Sequence, residues 1–449
     1  MGPLKDDAAN AARYISSVHR PDGRPNVCIM STPSSVDLVD AAPRGLRHRR
    51  LQDGRVDPDK AVLAVSAGAA VRVLIVNTHV DDVAGGSETQ CHEIATVLAD
   101  RGHAVTYAVC SRGENERRDA RSAAERLDHP YALHPLRGAF RAAFERALDE
   151  TAPDVVYWRY NKRHLLSCVL AARRRGIKFV FAVSHVNDIR AFAVKPFYGR
   201  SLRLGRRAVR AAGRARDSVV GALNYCALYL IDLIVFQHAG QVPRRFRRPH
   251  AVIYNSAPRI EATLPSPGQR TRQYVLWIAN LKKSKNPEEF VRLAADLEHT
   301  GVEFWMVGEV QDPAYRQLLE APGLPRSFRY AGFKNRAEVD ALIRDSLFLV
   351  HTCNPEGFPN VFIQAWAQAK TVVSLYFDPG ALLATHRIGV CSGDYETFKQ
   401  DVARLIAEPE LRQAMAARAL CFATEHCDRS KNVEQLERAF SRLVGTVST

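Results

Sequence analysis

Asn354-Pro355-Glu356-Gly357-Phe358-Pro359-Asn360-Val361-Phe362-Ile363-Gln364-Ala365-Trp366-Ala367 is the stretch on which the reading of this chain turns. A polar loop with one acid and one glycine runs into Pro359. Proline fits a first helical position, because its missing N–H has no intrahelical partner there. Phe362, Ala365, Trp366 and Ala369 then recur at helical spacing and make one apolar face. The spacing predicts a helix opening at Pro359, whose free N–H groups attract anions. Glu356 and Gln364 would stand about 12 Å apart if the whole interval were helical. A carboxylate for hydroxyl groups, N–H groups for phosphate and a second polar side chain could share this one helix start.

Outward from the motif, the chain alternates apolar strands with amphipathic helices. Leu347-Phe348-Leu349-Val350 is the strand that leads into it, and Thr371-Val372-Val373-Ser374-Leu375 follows. Upstream, Tyr274-Val275-Leu276-Trp277-Ile278 opens this series. Asn286 reads as an N-cap, Pro287 as a first helical residue, and Glu288 and Glu289 suit the positive helix end. Phe304-Trp305-Met306-Val307-Gly308 is a strand with glycine at its carboxyl end.

A similar series precedes it. Val73-Leu74-Ile75-Val76 lacks alternation, as in a parallel sheet covered on both faces. A loop, a helix over residues 87–101 stopped by Gly102, and a strand at 104–109 complete a βαβ unit. Strands follow at 154–158, 179–183, 233–236 and 252–254. Two such series imply two doubly wound, Rossmann-like α/β domains facing one another, with ligands at the carboxyl ends of the strands. The expected division is a poorly ordered extension at 1–70, a first domain at 71–257, a linker at 258–272, a second domain at 273–430 and a terminal helix at 431–449.

The 449 residues suffice for two sizeable cores, and a net charge of +15 suits an anionic partner. The nine cysteines form no Cys-x-x-Cys pair, which reads as reduced thiols rather than a disulfide framework or a zinc site. No apolar core follows the first residues, so no signal peptide is expected. Residues 219–236 are the most apolar run, but Asn224 and Asp232 interrupt it, and a buried helix leading to a core strand explains it better than a membrane span.

The candidate site residues sit at strand ends. Gly85-Gly86-Ser87 joins the first strand to its helix, where glycines let a ligand approach the backbone. Lys282, Lys283 and Lys285 follow the first strand of the second series, within reach of a diphosphate. His185 ends a core strand, as a sugar-binding or proton-accepting group or as a satisfied buried histidine. Residues 195–216 carry seven arginines and one lysine with interleaved apolar residues, and Arg244-Arg245-Phe246-Arg247-Arg248 adds a second basic cluster. Such segments lie on anionic bilayers or are solvated helix faces. Nucleic acid is disfavoured, since no recognition module accompanies the charge.

Taken together, these motifs resemble the retaining glycosyltransferases of family 4, which have the GT-B fold. The likeness spans residues 71–440. It rests on Gly85-Gly86-Ser87-Glu88, Lys285-Asn286, Val307-Gly308, Tyr330-Ala331-Gly332-Phe333, Glu356-Gly357-Phe358 and Gln364-Ala365. The resemblance implies transfer of a sugar from a nucleotide-diphosphate sugar to an acceptor with retained anomeric configuration. With the reduced thiols and the basic segment, the expectation is a cytoplasmic hexosyltransferase, peripheral on the inner membrane face, acting on a lipid-linked or polysaccharide acceptor. The resemblance implies no cofactor and no divalent metal. It further implies that Glu356 binds donor sugar hydroxyls, that Phe358 and Asn360 offer backbone N–H groups, and that Gln364 meets the ribose. Lys285, aided by Lys282, would meet the diphosphate, and His185 the reacting sugar or acceptor. Gly308, Gly332, Phe333 and Gly357 would line the donor pocket.

Two residues depart from the family pattern. Gln364 stands where glutamate is usual, and Asn280 where arginine often partners the lysine. These departures leave open a non-catalytic sugar-nucleotide-binding scaffold or degenerate transferase, and a GT-B sugar-nucleotide epimerase is a further alternative.

Overall fold

The structure, a computed structural model, describes residues 70–83, 85–110, 128–189, 219, 221–257, 274–354 and 356–445. The expected extension up to residue 69, the basic segment 195–216 and the linker 258–272 lie outside the described residues.

The first sheet has seven parallel strands: β1 (Arg72–Asn77), β2 (Ala104–Cys110), β3 (Ala132–Leu136), β4 (Val155–Trp158), β5 (Lys178–Ala182), β6 (Leu233–Phe236) and β7 (His250–Val252). Their order is β3-β2-β1-β4-β5-β6-β7. Helices α1 (Gly86–Asp100), α2 (Phe140–Thr151) and α3 (Leu165–Arg174) cover it. The central strands β1, β4, β5 and β6 are buried on both faces, which is why no alternation marks them in the sequence. Leu74, Val76, Val156 and Trp158 pack against Phe144, Leu148 and Cys168 of α2 and α3. On the other face, Val73, Ile75 and Tyr157 meet Cys91, Ala95 and Leu98 of α1.

The second sheet has six parallel strands: β8 (Tyr274–Ile278), β9 (Glu303–Val307), β10 (Phe328–Tyr330), β11 (Leu349–His351), β12 (Val372–Ser374) and β13 (Gly389–Cys391). Their order, β10-β9-β8-β11-β12-β13, repeats the reversal seen in the first sheet. Around it lie α4 (Pro287–Asp296), α5 (Ala314–Leu319), α6 (Arg336–Asp345), α7 (Asn360–Ala367), α8 (Leu382–His386), α9 (Tyr395–Ala407) and α10 (Pro409–His426), and the terminal helix is α11 (Arg429–Val444). Phe290, Leu293 and Ala294 of α4 pack on Val275 and Trp277. Phe362, Ala365 and Trp366 of α7 pack with Tyr274 and Leu276 on the other face.

Two expectations shift. The helix predicted to open at Pro359 begins at Asn360, and Pro359 is its extended N-cap with ψ 115°. Proline's fixed φ is compatible with either state. Asn360 is held from outside the helix, so the turn falls one residue later. Asn286 precedes Pro287 as expected but makes no side-chain cap and stands at φ +45°. Its amide donates instead to the Thr352 carbonyl at 2.9 Å, and asparagine tolerates the left-handed region.

The terminal helix α11 returns to the first domain. Val433, Leu436 and Phe440 join the core beneath α1. The chain crosses between domains twice in one place, where Ala257 N–H donates to the Cys427 carbonyl at 2.9 Å. Glu93 of α1 pairs with Arg336 of α6 at 3.2 Å and with Arg429 of α11. No described helix is long and apolar enough to cross a membrane.

Candidate active site

In an open parallel sheet the crevice lies at the carboxyl ends of the strands where their order reverses. In the second sheet that place is between β8 and β11. The loop after β8 carries Asn280, Lys282 and Lys285; the loop after β11 carries Glu356 and Gly357. Lys285 Nζ bonds to Glu356 Oε1 across it, with side chains 20% and 18% exposed. Thr352 holds the two loops together. It accepts from Trp277 Nε1 at 2.8 Å and donates to the Lys285 carbonyl at 2.6 Å. Beneath the pair lie His351 and Cys353, whose ligand atoms and a Glu356 oxygen are all within 4.8 Å of one another. Burial, then the Lys285 charge, lowers the His351 imidazole to about 3. Burial raises the Cys353 thiol against the opposing pull of Lys285.

Gly308 closes the neighbouring strand end. Its φ is +150°, and a Cβ there would stand 1.8 Å from the Ala279 carbonyl oxygen, so only glycine allows this approach to Asn280. Gly308 N–H donates to Gly332 O at 3.0 Å, and Leu281 N–H to Glu309 O at 2.7 Å, which ties the lysine loop to the β9 end. Lys282 is exposed at the surface of that loop. Phe333, next to Gly332, is 61% exposed, an unusual place for an aromatic ring.

The carboxyl-end loops of both sheets meet. A Cβ on Gly357 would stand 2.1 Å from the carbonyl oxygen of Ser184, the residue before His185. Asp188 accepts from the N–H groups of Ser184 at 2.9 Å and His185 at 2.8 Å, which shapes the turn that presents the histidine. Asn360 bridges the domains: its Oδ1 accepts from Asn255 at 2.8 Å and its Nδ2 donates to the Gly86 carbonyl at 2.9 Å. Ser87 accepts from Asn77 Nδ2 at 2.9 Å, and Gly85 is the extended N-cap of α1. Phe358 is buried in the domain joint against His238, Tyr254 and Trp366. Gln364 is half-exposed, one turn into α7.

Lys285, Glu356, Gly357 and His185 are thus gathered at one crevice, with Asn280, Gly308 and Gly332 beside it. The side chain of Asn360 serves the domain contact rather than an open pocket.

Two buried groups escaped the sequence reading. Arg159 follows β4, at the first sheet's own reversal point. It is 6% exposed, and its Nη2 donates to Asn255 Oδ1 at 2.7 Å. His238 follows β6 and is 4% exposed. Burial lowers its imidazole to about 4, against the opposing pull of the Gly357 backbone. In each case the signal was a polar residue just past a wholly apolar strand, as with His185.

Two Rossmann-like domains whose carboxyl-end loops face one another across a crevice define the GT-B class of glycosyltransferases. The comparisons agree. The family model described as Glycosyltransferase Family 4 matches residues 84–239, and that described as Glycosyl transferases group 1 matches residues 262–420. The chain belongs to the GT-B glycosyltransferases of the family 4 type.

Among solved structures, HepE of Anabaena in complex with UDP is similar at TM-score 0.60 and 16% identity, covering 83% of this chain and 100% of its own. Sucrose-phosphate synthase of Thermosynechococcus elongatus is similar at TM-score 0.64 and 12% identity, covering 84% and 99%. WaaG, a glycosyltransferase involved in lipopolysaccharide biosynthesis, is similar at TM-score 0.56 and 16% identity, covering 83% and 100%. No curated protein matches the chain by sequence.

Proposed function

We propose that this glycosyltransferase moves a hexose from a uridine diphosphate sugar to a lipid-linked or polysaccharide acceptor, with retention of anomeric configuration. The observation that carries the reading is the Lys285–Glu356 pair at the reversal point of the second sheet, one residue from the contact between Gly357 and Ser184. When the donor enters, its diphosphate replaces Glu356 as the partner of Lys285. Glu356 is then released toward the sugar hydroxyls.

The N-terminus of α7 and the Lys282 ammonium would meet the same phosphates, and the helix dipole and the lysine charge would offset the negative charge on the departing diphosphate. Exposed Phe333 offers a face for the base, and Gln364 a neutral hydrogen-bond partner for the ribose. His185 meets the reacting sugar or acceptor. A UDP-glucose complex of HepE from Anabaena supports the choice of uridine. Exposed Arg244, Arg245 and Arg247, together with the basic segment 195–216, support an anionic membrane surface as the place of work.

The test is Glu356→Ala. Transfer of labelled hexose should fall by about a hundredfold to a thousandfold, the scale of losing one aligned transition-state contact, while circular dichroism stays unchanged. Unaltered turnover would remove Glu356 from the mechanism. Donor binding without transfer, over a broad acceptor panel, would favour a scaffold.

A further inference from the structure

The first domain holds a cluster that the transfer reaction does not use. His79 lies in the loop after β1, His92 on α1, and His129 just before β3. One ligand nitrogen of each lies within 4.8 Å of the others. The ring centroids of His79 and His129 are 4.7 Å apart, and those of His92 and His129 are 5.5 Å apart. His79 is 2% exposed and Asp81 8% exposed, so the cluster is largely withdrawn from water.

We propose that His79, His92 and His129 form a structural site for a divalent transition metal of the zinc class, with Asp81 and Tyr131 as its oxygen-bearing neighbours. Zinc takes imidazole nitrogens in sites of three or four ligands, and its histidines are commonly oriented by a carboxylate on the other ring nitrogen. Asp81 has that place for His129, its Oδ2 2.9 Å from Nε2, while His79 Nδ1 accepts from the Asp81 backbone N–H at 3.3 Å. The Tyr131 hydroxyl sits between the other two rings, 3.0 Å from His79 Nε2 and 2.7 Å from His92 Nδ1.

A second observation points to a missing ligand. Asp81 Oδ1 and His129 Nδ1 are buried and have no hydrogen-bond partner among the described residues. Buried polar atoms are nearly always satisfied, and an unpartnered imidazole nitrogen within a three-histidine cluster is the atom a zinc-class cation would take. The rival arrangement is a metal-free relay, in which His79 donates to Tyr131 and Tyr131 to His92.

Nothing in the cysteine pattern announced this site, because its three ligands come from separate segments. A metal there would staple the β1 loop to α1 and to the start of β3. It would also steady Glu93, the neighbour of His92 that pairs with Arg336 and Arg429 across the domains.

The experiment uses the full chain, stripped with chelator and titrated with Zn2+ by calorimetry, with Co2+ as a spectroscopic probe. The expected result is one Zn2+ per chain, a melting temperature raised by about 5 °C at saturation, and a Co2+ visible spectrum of tetrahedral nitrogen–oxygen ligation. His92→Ala, at the half-buried edge of the cluster, and His129→Ala should each lose the stoichiometric binding and the thermal shift. His134→Ala, a histidine of the same domain paired with Glu150 outside the cluster, should keep both. Absence of stoichiometric Zn2+ in the wild-type chain, or binding that survives both cluster substitutions, would overturn the proposal and leave the hydrogen-bonded relay. The wild-type Co2+ spectrum decides the matter even if a variant fails to fold.

Discussion

The two reversal points of this molecule are built from opposite materials. In the second sheet, Lys285 and Glu356 face each other as opposite charges, partly open to solvent and held by loops that Thr352 ties together. In the first sheet, the equivalent place is buried. Arg159 shares Asn255 with Gln237, and His238 sits neutral nearby. A charge pair at the mouth of a crevice can be exchanged for a ligand's charges. A buried polar network contributes to the domain joint and is costly to disturb. The contrast implies that substitutions at the second point reduce activity, and those at the joint reduce stability.

Phe358→Ala tests the joint most severely. Removing a buried ring packed on His238, Tyr254 and Trp366 should cost about 3–5 kcal/mol, read as a lower urea midpoint. A change under about 1 kcal/mol would show that the domains part freely there.

Acid provides a second test. Burial lowers His238 to about 4, below its ordinary value of 6.5. Below pH 6.5 the unfolded chain therefore binds a proton that the folded chain refuses. Stability should therefore fall by roughly 3 kcal/mol between pH 6.5 and pH 4. His238→Asn should flatten that slope in pH-resolved denaturation, and an unchanged slope would assign it to other groups.

Lys285→Met addresses the other side of the contrast. Affinity for uridine diphosphate should fall by about tenfold to a hundredfold, the scale of one charged hydrogen bond, with the melting temperature held within a few degrees. A large melting change with intact affinity would invert the comparison. The smallest expected effect is Gln364→Glu, which would add a charge-assisted bond to a ribose hydroxyl. Donor affinity should rise by about tenfold or less, measured by calorimetry.

The central strands and the order of the motifs were legible in the sequence for one reason. A parallel strand covered on both faces must be continuously apolar, and Val73-Leu74-Ile75-Val76 and Tyr274-Val275-Leu276-Trp277-Ile278 are. Strands β3 and β13 went unread, and β10 was seen only through the residues that follow it. All three lie at sheet edges. An edge strand is partly solvated and short, so Phe328-Arg329-Tyr330 and Gly389-Val390-Cys391 carry no apolar run to find. Arg159 and His238 were missed because a polar residue after a strand reads the same whether it is exposed or buried.

The local patterns of this chain thus settled which segments become the central strands and their helices, and which loops carry acids, lysines and glycines, since helical and strand periods and strand-end chemistry are properties of neighbouring residues. Which loops meet was a matter of packing. Asn360 reaches Gly86 across 274 residues, Gly357 lies against Ser184, and three histidines from separate segments share one cluster. Such contacts depend on how two sheets twist and dock, and no spacing along the chain encodes that geometry.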